Sequence, residues 1–217
     1  MTRPSSSGNA SFCYNGGAQG ATDSVQFDFL EVLEEEWKPI SKGALVAWLF
    51  FYALVLFHAL RARGGFLFID HVNLLVHEAG HLLFGWLGAT PGLWGGTLLE
   101  LLVPLALAAY FTFQRHTVAT AFAAFFFFEN LLYIATYMAD ARSQGLPLVT
   151  VGDVESGGHD WYQIFSSLGL LPYDRVIGGA VRGVGWLGML ATVGWLVWRA
   201  RTQPRAQPHH SALGTRR

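Results

Sequence analysis

The most prominent pattern along the chain is a series of long apolar stretches separated by polar connections. Residues 43–60, 66–88, 93–113, 117–139 and 176–198 are each roughly 20 residues long and consist mostly of apolar side chains. A helix of that length spans the hydrocarbon core of a bilayer, which is about 30 Å thick. The pattern therefore predicts an all-α integral membrane bundle of about five transmembrane helices.

The connections predict how these helices are arranged. Those after the first three stretches are only a few residues long, so neighbouring helices should run antiparallel. The long connection 140–175 is expected to dip toward a site inside the bundle. We predict a membrane domain over residues 38–201, preceded by a polar tail over 1–37 that is either a short surface helix or loosely ordered. Residues 202–217 are predicted to form a disordered basic tail.

Composition supports a membrane protein and excludes several other classes. Charged residues make up 13% of the chain and apolar residues 52%, whereas soluble domains carry about 25% charged residues. The formal net charge is −1 and no basic face is present, so we expect membrane lipid and no nucleic acid as a partner. Cys13 is the single cysteine, which excludes a disulfide scaffold.

The distribution of basic residues predicts an orientation in a cell or plasma membrane. Eight arginines fall near span ends on the side of the C-terminus, and five basic residues fall on the other side. The excess favours a cytoplasmic C-terminus and an external N-terminus. The fifth stretch also has a small-residue face suited to close helix contact, and hence to an oligomer; its members are Gly178, Gly179, Gly183, Gly185 and Gly188.

The second stretch contains an HExxH motif, formed by His77, Glu78 and His81. Its i, i+4 spacing places both imidazoles on one face of a helix, one turn apart, where they can bind one Zn²⁺ ion. Glu78 is then close enough to act as a general base toward an activated water molecule. Two histidine ligands leave positions for a third ligand and for water, as a catalytic zinc site requires.

Two other interpretations of the motif are weaker. Hydrogen bonding between helices would have to offset roughly 2.5–3.5 kcal/mol for each ionisable group at mid-bilayer. A haem held by two of these histidines, or by one of them with His58 or His116, would leave Glu78 unexplained. Other polar residues fall at matching depths on the second to fourth stretches, where they either support the ligands or link helices; they are Asp70, Asn73, Glu100, Glu129 and Asn130.

The long connection offers two candidates for the third ligand, His159 and Asp160. Asp160 followed by Gln163 resembles a capping box that opens an amphipathic helix. If Asp160 caps that helix, His159 is the better ligand. The remaining alternatives are carboxylates elsewhere in the chain, namely Glu100, Glu129 and Asp140.

An HEAGH sequence inside a transmembrane helix, followed by a glycine-rich turn into the next one, resembles the site-two protease family of intramembrane zinc metallopeptidases. The likeness covers about residues 66–175. It implies that His77 and His81 bind one zinc ion together with an aspartate, and that Glu78 is the general base. The family's aspartate lies in a Leu-Asp-Gly motif, whose closest counterpart here is Asp160 in the segment His-Asp-Trp. No PDZ-like insertion is present.

The leading hypothesis is therefore a membrane-embedded zinc peptidase that cleaves a membrane-protein or peptide substrate in or near the bilayer. Residues 91–96, which are rich in glycine and follow the turn, form either an irregular edge that holds an extended substrate or a simple tight turn. The same site could hydrolyse a lipid or another amphiphile, or bind a metal without catalysis. A di-iron oxidase is disfavoured because the chain has one Glu-x-x-His pair, Glu78 to His81.

Overall fold

The computed structural model describes residues 36–62, 70–146 and 158–203. Within these ranges the protein is all-helical, as predicted. The helices are α1 (Lys42–Arg61), α2 (Asp70–Gly85), α3 (Ala89–Phe113), α4 (Thr117–Ala139), α5 (Asp160–Ser167) and α6 (Asp174–Thr202), with a 3₁₀ turn at Leu171–Tyr173.

Four segments are long and apolar enough to cross a membrane, namely α1, α3, α4 and Leu171–Thr202, which includes the 3₁₀ turn and α6. They coincide with four of the five predicted spans. The remaining predicted span, 66–88, is described from Asp70 onward and contains α2, a helix of 16 residues. The protein is thus a multi-pass helical protein by length and composition, and the count of five spans remains a prediction.

Parts of the predicted organisation fall outside the described ranges. These parts are most of the N-terminal tail, the C-terminal residues after 203, and residues 147–157 of the long connection. The course of that connection as a whole therefore remains a prediction, as do the domain boundaries.

The predicted orientation, with an external N-terminus and a cytoplasmic C-terminus, places residues 38 and 115 on opposite sides of the membrane. In the structure the N–H of Lys38 donates to the carbonyl of Arg115 at 2.8 Å and Ile40 is hydrogen-bonded to Gln203, so that orientation is not supported.

Helices α2 and α3 approach each other at backbone distance because glycines line their contact. A methyl group on Gly80 would collide with the carbonyl of Gly95, and one on Gly92 would lie 3.0 Å from the Cα of Gly85. The tight turn between the helices ends at Gly88, whose φ of 125° lies in a region that L side chains rarely adopt. Residues 91–96 are helical, so both alternatives for them, an irregular edge and a tight turn, are wrong.

Glycines also bring α6 against α4. A methyl group on Gly178 would lie 2.7 Å from the carbonyl oxygen of Ala135, and one on Gly185 would lie 2.9 Å from that of Phe128. Gly188 faces the ring of Phe128. These three of the five glycines in the predicted oligomer face therefore pack within the chain, and only Gly179 and Gly183 have open space around them.

Each end of the bundle is held together by its own polar contacts. At the end where α4 stops and α6 begins, Arg142 forms an ion pair with the buried Asp174, at 2.7 Å. At the opposite end, the side-chain amide of Gln203 donates to the carbonyl of Ile40 and accepts from its N–H, both at 2.7 Å. Near the latter, Trp37 packs edge-on against Trp195.

Candidate metal centre

The two histidines of the HExxH motif point at one carboxylate oxygen. His77 and His81 lie one turn apart on α2, with ring centroids 4.7 Å apart. The Nε2 atoms of His77 and His81 are 2.9 and 3.1 Å from the same Oδ2 atom of Asp160, the first residue of α5. In the described part of the chain, these three residues form the group whose ligand atoms all lie within 4.8 Å of one another and could hold a metal ion.

The other nitrogen of each ring faces an acceptor, which fixes where the ring proton resides. His81 Nδ1 is 2.7 Å from the carbonyl oxygen of Gly92, and His77 Nδ1 is 3.1 Å from a carboxylate oxygen of Glu100. The Gly92 carbonyl can only accept, so His81 Nδ1 carries a proton and donates it; His77 Nδ1 does the same toward an ionised Glu100. In the neutral rings both Nε2 lone pairs then face the Asp160 carboxylate. The positive charge that these donors require can come from protons on the Nε2 atoms or from a metal ion between the three residues.

The rings are held sterically as well as by hydrogen bonds. A methyl group on Gly96 would lie 2.5–2.7 Å from three ring atoms of His77, so only glycine leaves room for this imidazole. The side chain of His77 is 3% exposed, whereas that of His81 is 26% exposed. The centre is therefore rigid on the α3 side and accessible on the side of His81.

Asp160 is held by more than the histidines. Its main-chain N–H donates to the hydroxyl of Tyr137 at 3.2 Å, and this hydroxyl lies 3.4 Å from Oδ2. Burial alone would raise the pKa of the Asp160 carboxyl, but when the Nε2 atoms of His77 and His81 carry protons, their hydrogen bonds hold that pKa at about 2. Asp160 is thus an anion in the pH range of life, as a metal-binding carboxylate must be.

Glu78 follows His77 on α2 and is half-buried. As the neighbour of His77 along the helix, Glu78 lies beside the three-residue group.

His159 has a different role from its neighbour. Its Nδ1 accepts the N–H of Tyr162 at 3.2 Å, so His159 rather than Asp160 provides the N-cap of α5, and the expected capping box is wrong. Burial lowers the pKa of His159 below its ordinary value, although nearby carboxylates oppose the shift. The neutral ring then carries its proton on Nε2, which lies 3.6 Å from Asp140 Oδ2. Its Nδ1 is committed to the cap and its Nε2 faces Asp140, so His159 lies outside the three-residue group.

The remaining candidate ligands also lie outside this group. Glu100 contacts the far nitrogen of His77. A Glu129 carboxylate oxygen is 3.4 Å from the amide nitrogen of Asn73, which is also 3.4 Å from Asp70. Asp140 accepts from Ser143 and from the main-chain N–H groups that follow it.

The histidines of the haem alternative are placed elsewhere. His58 is exposed near the end of α1. His116 accepts the N–H of Ala119 at the start of α4, a contact that occupies its Nδ1. Neither lies in the group formed by His77, His81 and Asp160.

No known protein was found to be similar to this chain. Family models, curated proteins and solved structures were each searched with this chain, and none matched. The resemblance to site-two proteases therefore remains a prediction that rests on the motif and its position in the chain.

Sequence reasoning did not identify two groups that support the centre, the Gly92 carbonyl and the Tyr137 hydroxyl. A main-chain carbonyl carries no sequence signal, and tyrosine is common in helices of this kind. The donors themselves fit zinc. Two imidazole nitrogens and one carboxylate form a donor set typical of catalytic zinc sites, and acceptors on the second ring nitrogens are typical of zinc-binding histidines.

Proposed function

We propose that this protein is a membrane-embedded zinc metallopeptidase that hydrolyses a peptide bond in or near the bilayer. One observation carries the proposal: the Nε2 atoms of both motif histidines converge on one carboxylate oxygen of Asp160 while their Nδ1 atoms are held by acceptors. This arrangement brings three donors together, and a tetrahedral zinc ion held by three protein ligands would keep its fourth position for water.

In this proposal each residue has a defined role. His77, His81 and Asp160 would hold one zinc ion, which when bound supplies Lewis-acid activation of a water molecule and of a substrate carbonyl. Glu78 accepts a proton from the attacking water and delivers it to the leaving amine. Tyr137 keeps the Asp160 carboxylate in position through the Asp160 N–H. The incompletely buried His81 marks the side from which water and substrate reach the centre.

The first test is the zinc content of the full-length protein purified in detergent. We expect about one zinc ion per chain in the parent protein, loss of zinc in His77→Ala, His81→Ala and Asp160→Ala, and retention in Glu78→Gln. His58→Ala is the matched control, since His58 is an exposed histidine outside the group. A folded parent protein without zinc, or equal zinc in Asp160→Ala, would contradict the proposal.

Activity is tested separately from zinc binding. We expect the zinc-loaded parent protein to cleave members of a panel of transmembrane peptides, and Glu78→Gln to keep its zinc and lose most of the activity, because removal of the base costs about 10²–10⁴-fold. Glu78-dependent cleavage of phospholipid esters with no peptide cleavage would instead identify a lipid hydrolase. Full zinc occupancy with neither activity would leave a non-catalytic metal protein.

A further inference from the structure

Helix α3 has a break in its hydrogen bonding within the bundle. Pro104 lies inside α3 and has no N–H group, so the carbonyl of Glu100, four residues earlier, loses its partner within the helix. Pro104 and Glu100 are both buried, with Glu100 only 1% exposed. This carbonyl therefore needs a donor from elsewhere in the protein.

The donor comes from the neighbouring helix. The side-chain amide of Asn130 on α4 donates to the carbonyl oxygen of Glu100 at 2.9 Å, and Asn130 is only 2% exposed. An asparagine at this position thus replaces the hydrogen bond that the proline removes. It also fixes the distance between α3 and α4 at the level of Glu100.

The same residue, Glu100, contacts the candidate metal centre with its side chain. Its Oε2 atom is 3.1 Å from His77 Nδ1. One turn earlier on α3, Gly96 packs against the His77 ring. The turn between residues 96 and 100 therefore sets both the orientation and the proton position of this imidazole. Because Pro104 cannot donate the main-chain hydrogen bond that would hold this turn, the helix can bend there.

We propose that Asn130 is a positioning residue for the metal centre: by holding the Glu100 carbonyl at the Pro104 break, it keeps the Glu100 carboxylate on His77 Nδ1 and thereby keeps Nε2 directed at the metal. This inference rests on the proposed metal function. Asn130 lies outside the group of His77, His81 and Asp160. It acts through Glu100 alone.

The test measures zinc affinity of the full-length protein by competition with a chelator. We expect Asn130→Leu, which keeps the size and removes the donor, to weaken zinc binding about tenfold, within the range observed for residues that support metal ligands. Pro104→Ala restores an N–H four residues after Glu100. The double variant Asn130→Leu/Pro104→Ala should therefore bind zinc nearly as well as the parent protein. Asn130→Ala is a second variant for the same comparison if the leucine variant does not fold.

A second comparison separates positioning from a general effect on the fold. In a Glu100→Leu background the link to His77 is already absent, so Asn130→Leu should cause no further loss of zinc affinity. A general structural role would instead give the same fold-loss in both backgrounds. Unchanged affinity in Asn130→Leu, no recovery with Pro104→Ala, or the same loss in the Glu100→Leu background would each overturn the inference.

Failure of the metal function looks different from failure of the positioning role. A folded parent protein without zinc overturns the metal centre and, with it, the role of Asn130. Zinc in the parent protein with the same affinity in Asn130→Leu overturns the positioning role alone.

Discussion

In the described residues, glycines line the contact between α2 and α3 and the contact between α4 and α6, and the side chains packed against those glycines differ in kind. The α2–α3 contact surrounds His77, whose ring fills the space left by Gly96. The α4–α6 contact is apolar around Gly188, where the ring of Phe128 fills the space, and further along it Arg182 donates a hydrogen bond to Thr136 at 2.8 Å. Both contacts bring helices to backbone distance, as small residues do in membrane bundles. Glycine at a helix contact thus makes room for a candidate ligand, His77, in the first case and for an apolar ring, Phe128, in the second.

The largest expected effect comes from placing the same methyl group in each contact. Gly96→Ala should displace the His77 ring and weaken zinc binding by on the order of 100-fold, the upper end for changes next to metal ligands. Gly188→Ala should instead lower the free energy of unfolding by about 1–3 kcal/mol, as overpacking does, and leave the zinc affinity of the folded protein unchanged. Chelator competition and unfolding in detergent measure the two quantities. Equal loss of zinc affinity in both variants would remove the distinction.

A smaller effect is expected at the start of α5, where His159 caps the helix that carries Asp160. His159→Ala should cost about 0.5–2 kcal/mol of stability through loss of the cap and weaken zinc binding modestly, because Asp160 is the next residue. His159→Asn is the matched variant, since asparagine is a good N-cap. It should retain zinc affinity close to that of the parent protein. If His159→Asn lost zinc as completely as His77→Ala, His159 would be a ligand after all.

The smallest effect concerns Asp140, which is placed beside the centre but contacts no ligand in the group. Burial opposes the shift, but hydrogen bonds from Ser143, Leu146 and Gly145 lower the pKa of the Asp140 carboxyl. A carboxyl with a lowered folded pKa contributes stability above its unfolded pKa of about 3.9, and that contribution is lost as the pH falls through the folded value. Asp140→Asn should therefore be less stable than the parent protein at pH 7.

That difference should shrink as the pH is lowered below about 4. Thermal unfolding in detergent at several pH values measures it. A gap that stays constant or widens in acid would show that these hydrogen bonds do not favour the ionised carboxyl.

Much of the fold follows from the chain alone, because span length and apolar content are local properties. The bounds of α4 coincide with the predicted stretch, and α1 differs from its prediction by one residue at each end. The arrangement of His77 and His81 follows from helical spacing, which needs no tertiary information. These are the features on which local and global preferences agree.

The features that were missed depend on contacts between distant segments. The sequence left His159 and Asp160 open as third ligand, because either could cap α5. The usual preference made Asp160 the expected cap, whereas His159 is the N-cap and Asp160 faces the motif histidines. The link from Asn130 to Glu100 did leave a signal, since Pro104 stands four residues after Glu100 and implies an unpaired carbonyl. The identity of its donor could come only from the packing of α4 against α3.

The paired hydrogen bonds between Ile40 and Gln203 have a consequence for synthesis. These residues are 163 positions apart, and at about 5–20 residues per second the ribosome needs roughly 10–30 s to travel between them. The segment before α1 therefore emerges long before its partner exists. Until α6 has been synthesised, α1 therefore has to be stabilised by contacts with lipid or with the insertion machinery.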